Sequence, residues 1–526
     1  MSTSAPQPNF PERGSLNLPK IADDILASWE QDGTFQKSIE TRPADRPYVF
    51  FEGPPSANGK PGIHHVMARA IKDIFCRFHT LKGYRVERKA GWDTHGLPVE
   101  LGVEKELGIT KEDIGVKLTI EEYNEACKKA VMRYTDIWND LTRKMGYWVD
   151  MDAPYVTYEN KYIESVWWLL KQLDNKDLLY KGYTIQPYSP AAGTGLSSHE
   201  LNQPGAYRDV KDTTVVAQFK ALPECGARVL EHAGPEKAEA YGHLPVYFLA
   251  WTTTPWTLPS NTALTVGPDT TYVLVATKNR YTDEPGLVVL AEDLMGKHFG
   301  GKKAPEHEMI ARISGAELCG ARYEQLLDWA EPMEGVSEAF RIIPGDFVTT
   351  EDGTGIVHTA PTFGADDARV ASAAGVPPML IDDGTGQGVP LVDLQGRIRD
   401  GVGPLAGRYV KEEYYDEGEA PERSVDVEIA IDLKGKGLAF LVEKYEHNYP
   451  HCWRTDKPVL YYPLDSWFIR ATAAKKRMQE LNKTIRWKPA STGSGRFGKW
   501  LENLNDWNLS RSRFWGIPIP IWSTED

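Results

Sequence analysis

The sequence predicts an α/β fold, a doubly wound parallel sheet interrupted by a β-rich, barrel-like insert. Three features carry that expectation. Tyr48-Val49-Phe50-Phe51 is a short apolar run that ends in a Gly/Pro loop from Glu52 to Gly62, and a helical stripe follows. Strand, tight loop and helix in that order form the first half of an α/β nucleotide-binding unit. After about Leu201 the texture changes to short apolar runs separated by Gly/Pro turns, the mark of a β-rich domain. From about Ala439 the pattern is mixed again.

The elements follow in chain order. The polar arm to about Lys20 reads as loop. Ile21, Ile25, Leu26 and Trp29 recur at helical spacing and predict a short amphipathic helix. The run at 48–51 predicts a buried strand. Val66, Met67, Ala70, Ile71, Ile74, Phe75 and Phe78 predict the helix after the loop. Residues 118–180 read as helical, with Ile163, Val166, Trp167, Leu170 and Leu173 on one face. Strands are predicted at Thr213 to Phe219, Val246 to Trp251, Tyr272 to Ala276, Leu287 to Leu290 and Gly355 to His358. Residues 383–407, rich in Gly, read as loop or hairpin. The domain boundaries expected are 1–204 for the first part of the core, 205–440 for the insert and 441–526 for the return to the core.

Composition agrees with a globular chain. It has 526 residues, 41% hydrophobic and 25% charged, enough for roughly three or four domains. No apolar run reaches the roughly 18 residues of a membrane span, and Met1 to Lys20 lacks the apolar stretch of a secretory signal. Five cysteines, odd in number and widely spaced, point to a reducing compartment. The net charge of −14 excludes a general basic coat for nucleic acid, though not a local basic groove.

Four segments can carry chemistry. Glu52 to His65 leads into a helix N-terminus, where free N–H groups and the dipole favour an anion; it reads either as a phosphate site or as a structural turn. It is not a Walker loop, since Pro61 follows Gly59-Lys60. Gly91 to Glu100 places Asp93 and His95 among Gly and Pro, beside a ligand or in a capped turn. Trp251 to Asn261 holds four threonines, which line a polar pocket or simply suit a β-edge. Gly353 to Pro361, followed by Asp366-Asp367, offers carboxylates for an ammonium group or a solvated pair at a helix start. Weaker signals are Gly493 to Gly498, a G-x-G-x-x-G string read as a flexible loop, and His447, His451 and Cys452, whose metal-like spacing lacks a fourth ligand.

Together these segments resemble the class I aminoacyl-tRNA synthetases, and within them the isoleucyl-tRNA synthetase family. Ser197-Ser198-His199-Glu200, Tyr449 to Arg454, Asp465 to Phe468 and Trp507 to Gly516 strengthen the likeness, which runs from about Ile21 to Trp522. The resemblance implies a Rossmann-like catalytic core and an editing domain in the insert. It implies an isoleucine–tRNA ligase that activates isoleucine with ATP and Mg2+, releases diphosphate, and transfers the aminoacyl group from AMP to the isoleucine-accepting tRNA. Gly53, Pro55, Asn58, Gly62, His64 and His65 would contact ATP, with His64 and His65 catalytic. Asp93 would hold the ammonium group, and Pro54 and Trp515 would shape the side-chain pocket, Trp507 being an alternative to Trp515. One methylene is worth only about 1–3 kcal/mol in such a pocket, so the insert would hydrolyse mischarged valine. There Asp367 would bind the amino group as the catalytic carboxylate. Thr252, Thr253, Thr254, Thr257, Asn261 and His358 would orient ester and water. A monomer in the cytoplasm, with no membrane partner, is implied.

Three departures from the family stand out. Its signature H-x-G-H reads Gly62-Ile63-His64-His65 here, two changes expected to compensate each other. The two C-x-x-C pairs that hold zinc in bacterial relatives read Ser189 and Ala192, then Cys452 and Thr455; one thiolate cannot make a structural zinc site, so no zinc is expected. The K-M-S-K-S signature does not occur, and the chain reads as the N-terminal part of a longer protein, poor in activation but able to edit. Rival readings are a valine-type synthetase, an editing-only hydrolase of mischarged tRNA, and a tRNA-binding module without catalysis.

Overall fold

Asn17 opens the first helix, its side chain accepting the backbone N–H of Lys20 at 3.2 Å, with Pro19 in the first turn where no N–H is needed. That helix, α1, is Leu18–Asp32, so the predicted loop ends before Lys20. The computed structural model describes residues 15–50, 52–300 and 304–522, the side chains of Ser198 and His199 aside. The arm through Gly14, Phe51 and the two side chains of the Ser197–Glu200 motif therefore lie outside the described residues. The chain forms two compact units, one running to Asp177 and resuming at Arg513, the other Leu178–Ser512.

The first unit continues with α2 (Ile63–Leu81), β1 (Lys89–Trp92), α3 (Leu97–Leu107), α4 (Ile120–Val131), α5 (Thr135–Lys144), β2 (Asp150–Val156) and α6 (Asn160–Asp174). β1 and β2 pair in parallel, Trp92 opposite Val156, and the three intervening helices make the crossover such a pair requires. The helical reading of 118–180 is thus corrected: Asp150–Val156 is a strand because it completes this pair. The predicted strand at 48–51 is also corrected over its described residues, 48–50. Pairing among the described residues there is a single parallel bridge, Pro47 with Arg85. Tyr48 stacks on His79 at 3.7 Å, and Val49 is 67% exposed. Helix α2 forms as predicted, yet it buries Arg69, Cys76 and Thr80. Met67, Ile71, Ile74, Phe75 and Phe78 are each more than half exposed. The unit's core joins Val99 and Val103 of α3, Tyr123, Cys127 and Val131 of α4, and Trp515.

The second unit contains β3 (Leu179–Ser189), β4 (Tyr207–Lys220), β5 (Val246–Thr252), β6 (Ala263–Val266), β7 (Thr271–Lys278), β8 (Pro285–Ala291), β9 (His307–Ser314), β10 (Arg341–Pro344), β11 (Ile356–Thr359), α7 (Ala365–Ala374), α8 (Val425–Gly435), β12 (Ala439–Pro450) and β13 (Leu460–Ile469). Among the described residues a nine-stranded mixed sheet runs β9-β7-β8-β5-β11-β6-β10, with β4 joining β5 to β12. All five predicted strands of this region are present. Its core is Val, Leu and Phe from β4, β5, β7 and β8, among them Phe219, Phe248, Leu274 and Val289, none of them exposed. Gly493 to Gly498, read as a flexible loop, instead spans two short helices, Ser491–Ser494 and Arg496–Glu502. Their glycines admit close packing: a Cβ on Gly493 would collide with Trp487.

Candidate functional site

In the first unit the loop before α2 is pinned through alternate carbonyls. Pro55 O accepts Asp93 N at 3.0 Å and Ala57 O accepts Tyr134 N at 3.2 Å. Gly59 O accepts Trp138 Nε1 at 2.9 Å. The loop is therefore held rigid from one side, while Gly53 and Gly59 stay exposed with nothing within 4 Å of where a Cβ would sit. The positive end of the 19-residue α2 adjoins it. His65 Nδ1 accepts Gly62 N at 2.9 Å, and its ring meets the Trp138 edge at 4.7 Å. Burial, then the neighbouring His64, lower the pKa of His65. His64 is exposed and its ring lies 3.8 Å from that of His65. Pro54, Pro55 and Asn58 are partly exposed in the same loop. A helix end with a lysine and two imidazoles nearby fits a polyphosphate.

The same unit gathers the residues expected around the amino acid. Asp93 is exposed at the end of β1. Trp515 is buried, its indole N–H donating to Thr94 O at 2.6 Å and its ring 5.2 Å from that of His95. Burial lowers the pKa of His95 to about 4, so the ring is neutral. Glu100, for which the sequence suggested no role, anchors the segment: its Oε1 accepts Phe514 N at 2.9 Å and Trp515 N at 3.0 Å. Trp507, the alternative to Trp515, is 60% exposed and pairs with Ile469 at the edge of β13.

The second unit holds a cavity of about 340 Å³ lined by Thr252, Thr253, Thr254, Thr257, His358 and Asp367, with Trp251, Phe347, Thr349 and the Gly353–Gly355 turn. Gly353 adopts φ +73°, and a Cβ there would lie 2.9 Å from the Trp251 ring, so only glycine suits the turn. The threonines leave β5 through a six-residue turn, Pro255–Ser260, all of it buried. Asp367 Oδ2 accepts Ala360 N at 2.8 Å, and burial pushes its carboxyl up to about 6. The adjacent carboxylates part company: Asp366 pairs with Arg369 at 3.2 Å on the surface. His358 lies between Thr257 Oγ1, 3.0 Å from Nε2, and Asn261 Nδ2, 2.9 Å from Nδ1. Asn261 stands behind His358 and is not among the residues lining the cavity. Tyr323, which no sequence motif marked, donates its hydroxyl to Asn261 Oδ1 at 2.7 Å. Beneath the threonines, Asp426 Oδ1 accepts Trp256 N at 2.8 Å.

The positions that correspond to zinc ligands in bacterial relatives, and the nearby histidines, hold other contacts. Ser189 Oγ accepts Ala192 N at 3.2 Å, and the Cys452 thiol is buried. His447 Nε2 contacts Asp212 Oδ2 at 3.2 Å, and His451 Nδ1 lies 3.0 Å from Tyr449 O. Among the described residues no three His, Cys, Asp or Glu side chains gather as a metal cluster, and no helix is long and apolar enough to cross a membrane.

A Gly/Pro loop feeding a helix in one unit, and a threonine-lined cavity in the other, point to a family. The chain belongs to the class I tRNA synthetases: the family described as "tRNA synthetases class I (I, L, M and V)" matches residues 24–526. Its similar relatives include the Isoleucine--tRNA ligase of Bacteroides fragilis (strain YCH46), 60% identical over 546 residues, covering 98% of this chain and 46% of that protein. That of Porphyromonas gingivalis is 58% identical over 547 residues, covering 98% and 47%. That of Clostridium tetani is 44% identical over 512 residues, covering 97% and 44%. The chain spans less than half the length of these curated relatives. A solved P. falciparum cytosolic leucyl-tRNA synthetase editing domain covers 31% of this chain and 64% of its own, at 14% identity and a TM-score of 0.24.

Proposed function

We propose that this chain carries the ATP- and isoleucine-binding residues of an isoleucine–tRNA ligase together with its hydrolytic editing site. The observation that carries the reading is the cavity joining four threonines, His358 and Asp367, in a chain 60% identical to an Isoleucine--tRNA ligase. The insert at 205–440 is the editing domain, flanked by core segments 1–204 and 441–526.

In activation, an isoleucine carboxylate oxygen attacks the α-phosphorus of ATP and diphosphate leaves, so the protein's task is to place reactants and offset phosphate charge. The pinned loop with Gly53, Pro55, Asn58 and Gly62, the positive end of α2, His64 and His65 serve that task. Mg2+ comes with the nucleotide, a preference of this ion, and zinc has no place at Ser189, Ala192, Cys452 and Thr455. Asp93 takes the ammonium group, and Pro54 and Trp515 bound the side chain. In editing, water adds to the ester carbonyl of valine on the tRNA, the bond to the ribose oxygen breaks, and that oxygen takes the proton. Asp367 pairs with the ammonium group of the valyl ester, and Thr252, Thr253, Thr254 and Thr257 hold ester and water. The same reading makes the full-length protein a cytoplasmic monomer whose partners are isoleucine, ATP and the isoleucine tRNA.

Two measurements test it. The chain is expected to release valine from valine-charged isoleucine tRNA and to spare the isoleucine-charged form. The full-length protein is expected to catalyse ATP–pyrophosphate exchange with isoleucine strongly, with valine more weakly and with leucine least. Equal release of both amino acids, or exchange led by valine, would overturn the reading.

A further inference from the structure

We propose that Tyr323 and Asn261 are positioning residues that lock His358 as its Nε2–H tautomer, so that Thr257 offers the cavity a lone pair and no proton. The proposal deepens the editing reading and its functional half rests on it.

Asn261 Nδ2 lies 2.7 Å from Ala263 O and 2.9 Å from His358 Nδ1. A backbone carbonyl only accepts, so the NH2 end of the amide must face it. That end has no lone pair, so His358 Nδ1 must be the acceptor and carries no proton. With the NH2 end so placed, the amide oxygen accepts the Tyr323 hydroxyl at 2.7 Å, which holds the amide from the other side. Tyr323 is 2% exposed and wedged edge-on against Phe219, with ring centroids 5.4 Å apart. Its burial raises the phenol pKa and keeps its proton in place. Burial likewise lowers the pKa of His358 to about 3, so the neutral ring has one proton, on Nε2. That proton points to Thr257 Oγ1 at 3.0 Å. The Thr257 hydroxyl has one proton of its own, taken by Thr254 O at 2.8 Å.

Two consequences follow for the cavity. His358 has no free lone pair with which to deprotonate water. Thr257, on the cavity wall, has one acceptor site left, which selects a hydrogen-bond donor such as the ammonium or a ribose hydroxyl of the aminoacyl ester.

The test uses the chain labelled with ¹⁵N-histidine. Long-range ¹H–¹⁵N spectra report which ring nitrogen is protonated, and His358→Gln identifies the signal. The wild type is expected to show Nε2–H. Asn261→Asp is isosteric but puts an acceptor opposite Nδ1, so the proton should move to Nδ1. Tyr323→Phe takes the donor from the amide oxygen while Ala263 O still holds the NH2 end, so Nε2–H should persist there and the loss should show in valine release. Valine release from valine-charged isoleucine tRNA should fall about ten-fold in Tyr323→Phe, the size of one buried hydrogen bond. An Nδ1–H signal in the wild type, or Nε2–H retained in Asn261→Asp, would overturn the lock. The expected tautomers with no valine release by the wild type would instead overturn the editing reading and leave the lock standing.

Discussion

Glu100 Oε1 accepts the backbone N–H of Trp515 at 3.0 Å, joining residues 415 apart in the chain. The same oxygen takes Phe514 N at 2.9 Å, while Thr94 O takes the Trp515 indole. One segment, Trp92 to Glu100, thus fixes Trp515 at backbone and side chain. Glu100→Ala would leave two amides unpaired and is expected to cost about 2–3 kcal/mol. Glu100→Gln keeps an acceptor and should cost under about 1 kcal/mol. Denaturant unfolding of the two variants measures the difference, and equal losses would show that packing, not acceptance, matters at this position.

Gly62 and His64 are sterically coupled. A Cβ on Gly62 would lie 2.9 Å from His64 Cε1 and 3.0 Å from its Nδ1, so the His64 ring fills the space a side chain at 62 would need. Gly62→His should push His64 off the His65 ring, and adding His64→Gly should relieve the crowding. In isoleucine-dependent ATP–pyrophosphate exchange by the full-length protein, the two changes are expected to be non-additive by about 1 kcal/mol or more. Additive effects would mean that the inverted order of the signature is not a compensated exchange.

Under the editing role proposed for it, Asp367 should set the acid limb of valine release. Its carboxyl, pushed up to about 6 by burial, must be ionised to pair with an ammonium group. Valine release should therefore decline as pH falls through about 6, and Asp367→Asn should reduce it about 100-fold or more by removing the charge partner. Stability runs the other way. The folded chain binds this proton more tightly than the unfolded chain, whose carboxyl has the ordinary value of 3.8. The stability it contributes is full below the unfolded value and lost as pH rises through about 6. Asp367→Asn should thus be more stable than the wild type at pH 7 and similar at pH 4. An unchanged pH profile for valine release would sink the assignment.

What the sequence revealed depended on how local the cause was. The threonine segment offered a pocket as one of two readings, the other a β-edge, because Thr252 to Thr257 and the Pro255 turn are consecutive in the chain; the cavity they line decides between the two. β7 and β8 were legible from their branched apolar runs. β6, Ala263–Val266, was not, since four residues buried on both faces show no alternation. The run at 48–51 reads as a strand, yet among the described residues only one bridge, Pro47 to Arg85, forms and Val49 is 67% exposed. Glu100 and Tyr323 were invisible because each acts on a partner distant in sequence, Trp515 and Asn261, and nothing in their neighbours' spacing signals it.

Asp426 offers a separate test beneath the cavity. Its Oδ1 accepts Trp256 N at 2.8 Å, holding the turn that carries Thr257. Burial pushes its carboxyl up to about 7, against the pull of Lys411, which itself contacts Asp212 at 3.1 Å. The folded chain therefore prefers the protonated acid, and the wild type should lose stability from this group as pH rises through about 7. Asp426→Asn keeps an acceptor for Trp256 without the charge, so it should gain on the wild type between pH 5 and pH 8. Asp426→Ala strips the acceptor at every pH and should cost about 1–3 kcal/mol even at pH 5, with slower valine release as the turn loosens. Thermal unfolding at both pH values separates charge from hydrogen bond. A wild type and an Asn variant that track each other across the range would show that burial does not oppose the charge at 426, and that only the contact to Trp256 counts.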